Sequence, residues 1–347
     1  MKSLTRKLMS ILVTGIFTLS MVACSSSNEG AKTTTTPTSS DATQELTTVK
    51  TAYSPFIGGI GIYVMNELGF DKENGINLEI GAYGNTSTLM SLMTGDVDIA
   101  FTTIQGYMTS INALIEEGTS VEALPKIVYL HNESTGADGI VCKPEIKTVA
   151  DLKGKEVSAQ YGNVTHYMLA KALATAGLTM DDVKMTDMGP GKGGSAFIAG
   201  QLDAATTFDP YLTQAVTETG ANLLITTKDL ERCIYDVCVV SAKTAEEKPE
   251  WLTKTLLAVE DSTQYVNNSL KDAAEKTAAT FESTPQEVEE MCSTVYLYTM
   301  QDNIEGMAEG GWLYDSLKDI QDFYVSIGEM SEDIDFSQLV DSSFLSK

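Results

Sequence analysis

The chain has 347 residues, 43% of them apolar, with 48 acidic against 23 basic side chains and a formal net charge of −25. That length and apolar content suffice for two domains, each with its own core, while the acidity argues against nucleic acid as a partner, which demands clustered Lys and Arg. Beyond residue 24 no run approaches the roughly 18 apolar residues that span a bilayer, and surface acids of this kind are a solvated face that aids solubility.

At the N-terminus Lys2, Arg6 and Lys7 precede an apolar run over residues 8–23, the layout of a signal peptide over 1–23. The run ends in Met21-Val22-Ala23-Cys24, which resembles the lipobox of bacterial lipoproteins, with Met21 where that pattern prefers Leu. The resemblance implies that Cys24 is lipidated and anchors the protein to the extracytoplasmic face of the cell membrane. Loss of the three basic residues takes the charge from −25 to about −28. Residues 24–47 are then a disordered tether, polar and without periodicity.

Residues 46–53 read as a strand that delivers Ser54 and Phe56 to a glycine-rich loop, followed by a helix over 62–68. A strand over 77–82 gives way to Asn85 and Thr86, either of which caps a helix over 88–93. The free N–H groups at that helix start suit an anion as well as a plain cap. Gly95 and Asp96 turn the chain into a buried strand whose carboxyl end carries Thr102, Thr103 and Gln105. A helix over 107–116 and a strand over 126–131 follow, and the turn formers of 132–139 mark a first crossing into a second lobe.

Residues 151–212 alternate strand and helix, which argues a parallel sheet with ligands beyond the carboxyl ends of its strands. A helix from Thr165 carries Met168, Leu169, Ala172 and Leu173 at helical spacing and stops at Gly177. Its start, Asn163, Val164, Thr165 and His166, offers donors at a positive helix end, suited to an anionic head group. Strands over 183–188 and 204–208 flank a glycine-rich turn at 189–194 and a short helix over 195–199. Gly189-Pro190-Gly191-Lys192-Gly193-Gly194 formally satisfies G-x-G-x-x-G, but the helix after it is short and the loop falls at the second helix of the unit, against a dinucleotide site. It is either a lip of the cleft, with Lys192 near an anion, or a surface turn. Phe208 and Asp209 close the last strand. Asp209 either faces the cleft, implying a ligand amine, or caps a turn before Pro210, and Asp138 poses the same question. The return crossing falls at 234–240, and helices over 252–267, 270–280, 285–292 and 311–327 are expected on the back of the first lobe, holding no ligand.

DLKGK at 151–155, Gly162-x-x-x-His166-x-x-Leu169, Ala196-x-x-x-Gly200-x-x-Asp203-Ala204 and Phe208-Asp209-Pro210-Tyr211 stand in one order with ELGF at 67–70, ENGI at 73–76 and Gly95-Asp96-x-Asp98-Ile99-Ala100. Together they resemble the nitrate/sulfonate/taurine group of solute-binding proteins that serve ABC importers, over most of the mature chain. The resemblance implies an α/β, two-lobed periplasmic-binding-protein-like fold of type II, each lobe a sheet flanked by helices, with a helical C-terminal extension. Lobe one would be residues 48–135 plus 236–347, and lobe two 136–235. It further implies a monomeric binder, not an enzyme, that holds a small organic anion or zwitterion of sulfonate or taurine type between its lobes. The partners implied are the permease and ATPase subunits of the importer.

A related branch of the same fold takes a pyrimidine-type thiamine precursor, for which Tyr53, Phe56, Tyr83, Tyr161 and Phe208 supply rings. An exported enzyme on this scaffold is a more distant alternative, for which the sequence offers no G-x-S-x-G elbow and no zinc-ligand spacing. No cofactor or metal is expected, the histidines being only His131 and His166. Cys142, Cys233, Cys238 and Cys292 read as buried thiols, although Cys238 could pair with Cys142 or Cys233 outside the cell.

Overall fold

The computed structural model describes residues 46–53, 56–81, 88–330 and 334–345. Cys24, Ser54, Asn85 and Thr86, the signal peptide and nearly all of the tether lie outside the described residues.

Short runs rich in Val, Ile and Thr build two sheets. The first comprises β1 (Thr47–Ala52), β2 (Ile76–Gly81), β3 (Ile99–Thr103), β4 (Lys126–Ser134), β10 (Tyr235–Val240) and β11 (Val295–Leu297), in the order β11-β4-β10-β3-β1-β2. The second comprises β5 (Asp138–Cys142), β6 (Glu156–Ala159), β7 (Lys184–Asp187), β8 (Ala204–Phe208) and β9 (Asn222–Thr226), in the order β7-β6-β8-β5-β9. In each, three parallel strands stand beside one antiparallel strand that has just arrived from the other sheet: β10 against β3 in the first, β5 against β8 in the second. The molecule is thus a two-lobed α/β fold.

That shared plan sets a register. The start of each arriving strand lies opposite the carboxyl end of a parallel one, with Asp236 facing Thr103 in the first sheet and Asp138 facing Phe208 in the second. The chain crosses between sheets at 134–138 and 226–235, and the crossings are bonded to each other. Ser134 Oγ and Thr227 Oγ1 are 2.8 Å apart, and the Gly136 N–H donates to Thr227 Oγ1 at 2.9 Å. Gly136 has φ 142°, a conformation that a Cβ would strain.

Helices Ile60–Leu68 and Pro249–Asn268 cover one face of the first sheet, packing Ile62, Met65, Leu252 and Leu256 on Val49, Phe101 and Tyr129. On the other face helix Ile104–Glu116 buries Ile104, Tyr107, Met108 and Ile111, one stripe at helical spacing. The C-terminal arm runs beside β4, where the Ile127 N–H donates to Leu339 O at 2.7 Å and the Asp341 N–H to Ile127 O at 2.9 Å.

Three local expectations are corrected. The tail does not stay on the first lobe: helix Trp312–Ser326 buries Leu313, Leu317 and Ile320 in one cluster with Met168, Leu169 and Leu173 of helix Val164–Thr175. Asp319 Oδ2 there accepts from Tyr167 OH at 2.7 Å and Lys171 Nζ at 2.6 Å. The glycine-rich 189–194 is not a turn but the first half of helix Pro190–Ile198, with proline at its start, where it is tolerated. Its glycines serve close packing, since a Cβ at Gly193 would lie 2.4 Å from Ser158 Oγ and one at Gly194 2.6 Å from Tyr211 Cβ. Finally, helix Tyr211–Thr219 and the edge strands β9 and β11 went unread, being short and weakly periodic.

Candidate functional site

On the first lobe Thr102 and Thr103 end β3 half-buried, and Thr103 Oγ1 accepts from the Gly106 N–H at 3.0 Å, capping the helix that follows. Gln105 is buried in the first turn of that helix, where Nε2 donates to Cys233 O at 2.7 Å and Oε1 has no partner among the described residues. Phe56 is half-buried at the start of the turn Ile57–Gly59. Tyr53, just past β1, sets its ring edge-on to Phe101 and His131, with centroids 5.6 and 5.9 Å away. Burial pushes the His131 pKa down to about 3, so the ring is neutral, and both its nitrogens lack partners among the described residues.

On the second lobe Asn163 starts helix Val164–Thr175 without a side-chain cap bond. Its carbonyl accepts from the His166 and Tyr167 N–H groups, while the Val164 and Thr165 N–H groups make no hydrogen bond among the described residues. Thr165 Oγ1 is occupied, accepting from the Gln160 N–H at 2.9 Å. His166 is turned into packing: its ring lies 5.1 Å from both Tyr161 and Phe323, and Nδ1 accepts from the Gly162 N–H at 3.2 Å. Burial lowers its pKa, with Asp187 opposing. The tail helix clamps the same loop, Tyr324 OH donating to Gly162 O at 3.2 Å and Tyr161 OH to Ile327 O at 2.9 Å. Phe208 meets Tyr211 edge-on at 5.8 Å. Asp209 Oδ1 accepts from the Thr213 N–H at 3.0 Å and Thr213 Oγ1 at 2.8 Å, closing the first turn of helix Tyr211–Thr219.

Where the crossings meet, Asp138 and Asp236 are buried at 7% and 8% exposure. Burial raises Asp138 to about pKa 6, the Ser134 hydroxyl opposing and the charges of Asp236 and Asp209 adding to the rise. Burial also raises Asp236 to about 6, against the stabilising contacts of Asn132 and Tyr53; Asn132 Nδ2 donates to Asp236 Oδ2 at 3.0 Å. Asp138 on the second sheet therefore senses the charge of Asp236 on the first. Sequence reading raised Asp138 and passed over Asp236, which sits inside the apolar run Tyr235–Val240; a lone acid in a buried strand was the available signal. Among the described residues no three His, Cys, Asp or Glu side chains converge as a metal site, and Cys142, Cys233, Cys238 and Cys292 are all free thiols.

Residues 58–273, well over half of the chain, match the family described as NMT1/THI5 like. The chain belongs to the NMT1/THI5-like family. This NMT1/THI5-like chain is 40% identical over 87 residues to an Escherichia coli (strain K12) protein named for binding aliphatic sulfonates, a match of 25% of this chain and 27% of that protein. It is 24% identical over 216 residues to a binding protein of Brucella abortus (strain 2308), 60% of this chain and 66% of the relative. The chain thus spans about a quarter of the first relative and just under two thirds of the second.

Among solved structures, the periplasmic aliphatic sulphonate binding protein SsuA of Escherichia coli superposes with TM-score 0.68 at 20% identity, over 85% of this chain and 92% of that one. The alkanesulfonate-binding protein SsuA of Xanthomonas axonopodis pv. citri, bound to MOPS, gives 0.64 at 17%, over 86% and 99%. The desulfurization enzyme DSZB gives 0.61 at 16%, over 86% and 97%. These likenesses identify the fold of this NMT1/THI5-like protein as that of the periplasmic binding proteins; fold alone carries both binders and an enzyme.

Proposed function

We propose that the chain is the substrate-binding lipoprotein of an ABC importer, which captures a small organic anion or zwitterion between its lobes and delivers it to a permease and its ATPase. The observation that carries this reading is the pair of N–H groups of Val164 and Thr165, unpartnered among the described residues, at the start of helix Val164–Thr175, at the carboxyl edge of the second sheet. Helix-start amides favour an anionic group, and the relatives named for sulfonates supply the class of head group. Thr102, Thr103 and Gln105 would meet the ligand from lobe one, with Phe56 and the undescribed Ser54, Asn85 and Thr86. Asn163, Val164, Thr165, Phe208 and Asp209 would meet it from lobe two, with His166 supporting the loop.

Lobe one is taken as 48–135 plus 236–347 and lobe two as 136–235, with closure about the two crossings as the functional step and no covalent chemistry. Contacts from both sides turn closure into affinity. The ring cluster of Tyr53, Phe101 and His131 gives an aromatic heterocycle less support, because Tyr53 already packs edge-on to both other rings, which are tilted against each other. Residues 1–23 would be removed and Cys24 diacylated, leaving a lipid-anchored extracytoplasmic protein on a tether.

A thermal-shift panel of taurine, alkanesulfonates, nitrate and a hydroxymethylpyrimidine tests the ligand class. A sulfonate-type binder gains several degrees with its own ligand, and a shift confined to the pyrimidine would overturn the reading. For the anchor, a labelled fatty acid should be incorporated into the parent chain and not into Cys24→Ser; absence of label from the parent would refute lipidation.

A further inference from the structure

Beside the crossings the surface folds into a cavity of about 360 Å³, within the size range of small-molecule sites. Its walls come from Glu133 and Thr135 at the first crossing, Glu231 and Arg232 at the second, β11, and the start of helix Trp312–Ser326. None of the residues assigned to the ligand cleft lines it. Tyr296 and Tyr298 are two positions apart on extended chain and so share a face. With Trp312 they make a row of rings along the cavity: Tyr298 lies 5.5 Å from Tyr296, edge-on, and 5.7 Å from Trp312, tilted at 31°. Tyr296 is 45% exposed at one end of the row.

The chain already lays one cation on this row. The Arg232 guanidinium is 4.5 Å from the Trp312 ring centroid. Arg232 has φ 54°, a left-handed backbone that strains a residue bearing a Cβ, and its N–H donates to Glu133 Oε1 at 2.8 Å. Four carboxylates, Glu133, Glu231, Asp302 and Glu305, stand against that single guanidinium. Two of them are fixed at the ring edges, with Tyr298 OH donating to Glu133 Oε2 at 2.5 Å and Tyr296 OH to Asp302 Oδ2 at 3.0 Å. Glu231 and Glu305 are exposed at the rim. Burial, then the bond to Asp302 and the charges of Asp302 and Glu133, push the Tyr296 pKa up to about 12, which records the negative potential along the row.

The class of cation follows from the rings. Among the described residues these acids do not converge as a metal site. A weakly hydrated organic cation gains from aromatic faces and gives up little on leaving water, whereas a compact inorganic ion must shed a tightly held shell. We propose that Tyr296, Tyr298 and Trp312, with Glu231 and Glu305 at the rim, form a second ligand site, separate from the cleft. It takes a small, weakly hydrated organic cation, of guanidinium or quaternary ammonium type, on the ring row beside Arg232.

Fluorine NMR of the full-length protein labelled with 5-fluorotryptophan tests this, because the chain has only two tryptophans, Trp251 and Trp312, and Trp251→Phe assigns their signals. Tetramethylammonium chloride and guanidinium chloride are each titrated against potassium chloride at constant ionic strength. The Trp312 signal should move and saturate in the millimolar range with at least one organic cation. The Trp251 signal, which belongs to a different packing cluster beside the first sheet, should stay. Tyr296→Ala and the pair Glu231→Gln/Glu305→Gln, all at exposed positions and checked for unfolding midpoints near the parent's, should each weaken binding by at least ~3-fold. A Trp312 signal that neither organic cation moves, that potassium moves equally, or whose titration either substitution leaves unchanged would overturn the site.

Discussion

Burial holds Asp138 and Asp236 at about pKa 6, against an ordinary value of 3.8. Between those values the native state binds more protons than the unfolded chain, so stability falls as pH rises through the window, by roughly 3 kcal/mol for each group at pH 7. Asp138 faces Ser134, Asp236, Asp209 and Cys233, and Asp236 faces Asn132 and Tyr53; none of these supplies a compensating cation. Asp151 and Asp182 are held low by backbone hydrogen bonds at turn caps and act in the opposite sense, so a variant is needed to isolate the effect. Ligand-free Asp236→Asn should have a higher urea midpoint than the parent at pH 7.5, with the advantage shrinking toward pH 5. An unchanged difference across that range would show that Asp236 does not titrate there.

At the scale of single elements, the helix Pro190–Ile198 exists despite three glycines and a proline because the glycines let it approach β6 and the next helix closely. Gly194→Ala would bring a Cβ to 2.6 Å from Tyr211 Cβ and 2.9 Å from Thr207 Oγ1. We expect an overpacking cost of about 1–3 kcal/mol, which exceeds or offsets the ~1 kcal/mol that alanine gains in helix propensity. Gly189→Ala, whose nearest neighbour is Gln160 Oε1 at 3.6 Å, should be nearly neutral. Denaturant titration of the two variants distinguishes packing from propensity, since propensity alone would favour alanine at position 194. The tail helix makes a second case. Leu317 is fully buried in the cluster shared with lobe two, and Leu317→Ala should cost about 2–5 kcal/mol. Hydrogen exchange should then quicken in Val164–Thr175 as well as in the tail; protection lost from the tail alone would mean that the two helices do not stabilise each other.

At the scale of the whole molecule, two sheets of like plan are joined by two crossings and strapped by one helix. The crossings are tied through Ser134, Gly136 and Thr227, while the strap holds the loop before Val164–Thr175 through Tyr161 and Tyr324. Closure about the crossings therefore requires the strap to yield or to move with lobe two. Small-angle scattering should record a smaller radius of gyration when ligand saturates the protein, and a Tyr161→Phe/Tyr324→Phe pair should change the ligand concentration needed for that contraction. Identical scattering with and without bound ligand would rule out closure as the functional step.

Much of this arrangement was legible before any coordinates, because it is encoded locally. Alternation of strand and helix over 151–212, the stripe from Met168 to Leu173 and the stop at Gly177 each depend on neighbours a few residues apart, and the order of short motifs pointed to the family that residues 58–273 match. The glycine-rich 189–194 was misread for the converse reason: what makes it helical is the close approach of Ser158 and Tyr211, residues that its own sequence does not contain. The stripe on the tail helix demanded burial but named no partner, and only packing assigned it to lobe two. Asp138 and Asp236 stand 98 positions apart and become neighbours because each sheet receives its antiparallel strand from the other. Local periodicity decides which elements form, whereas the meeting of two buried charges is a long-range event that only the closed topology of both sheets can bring about.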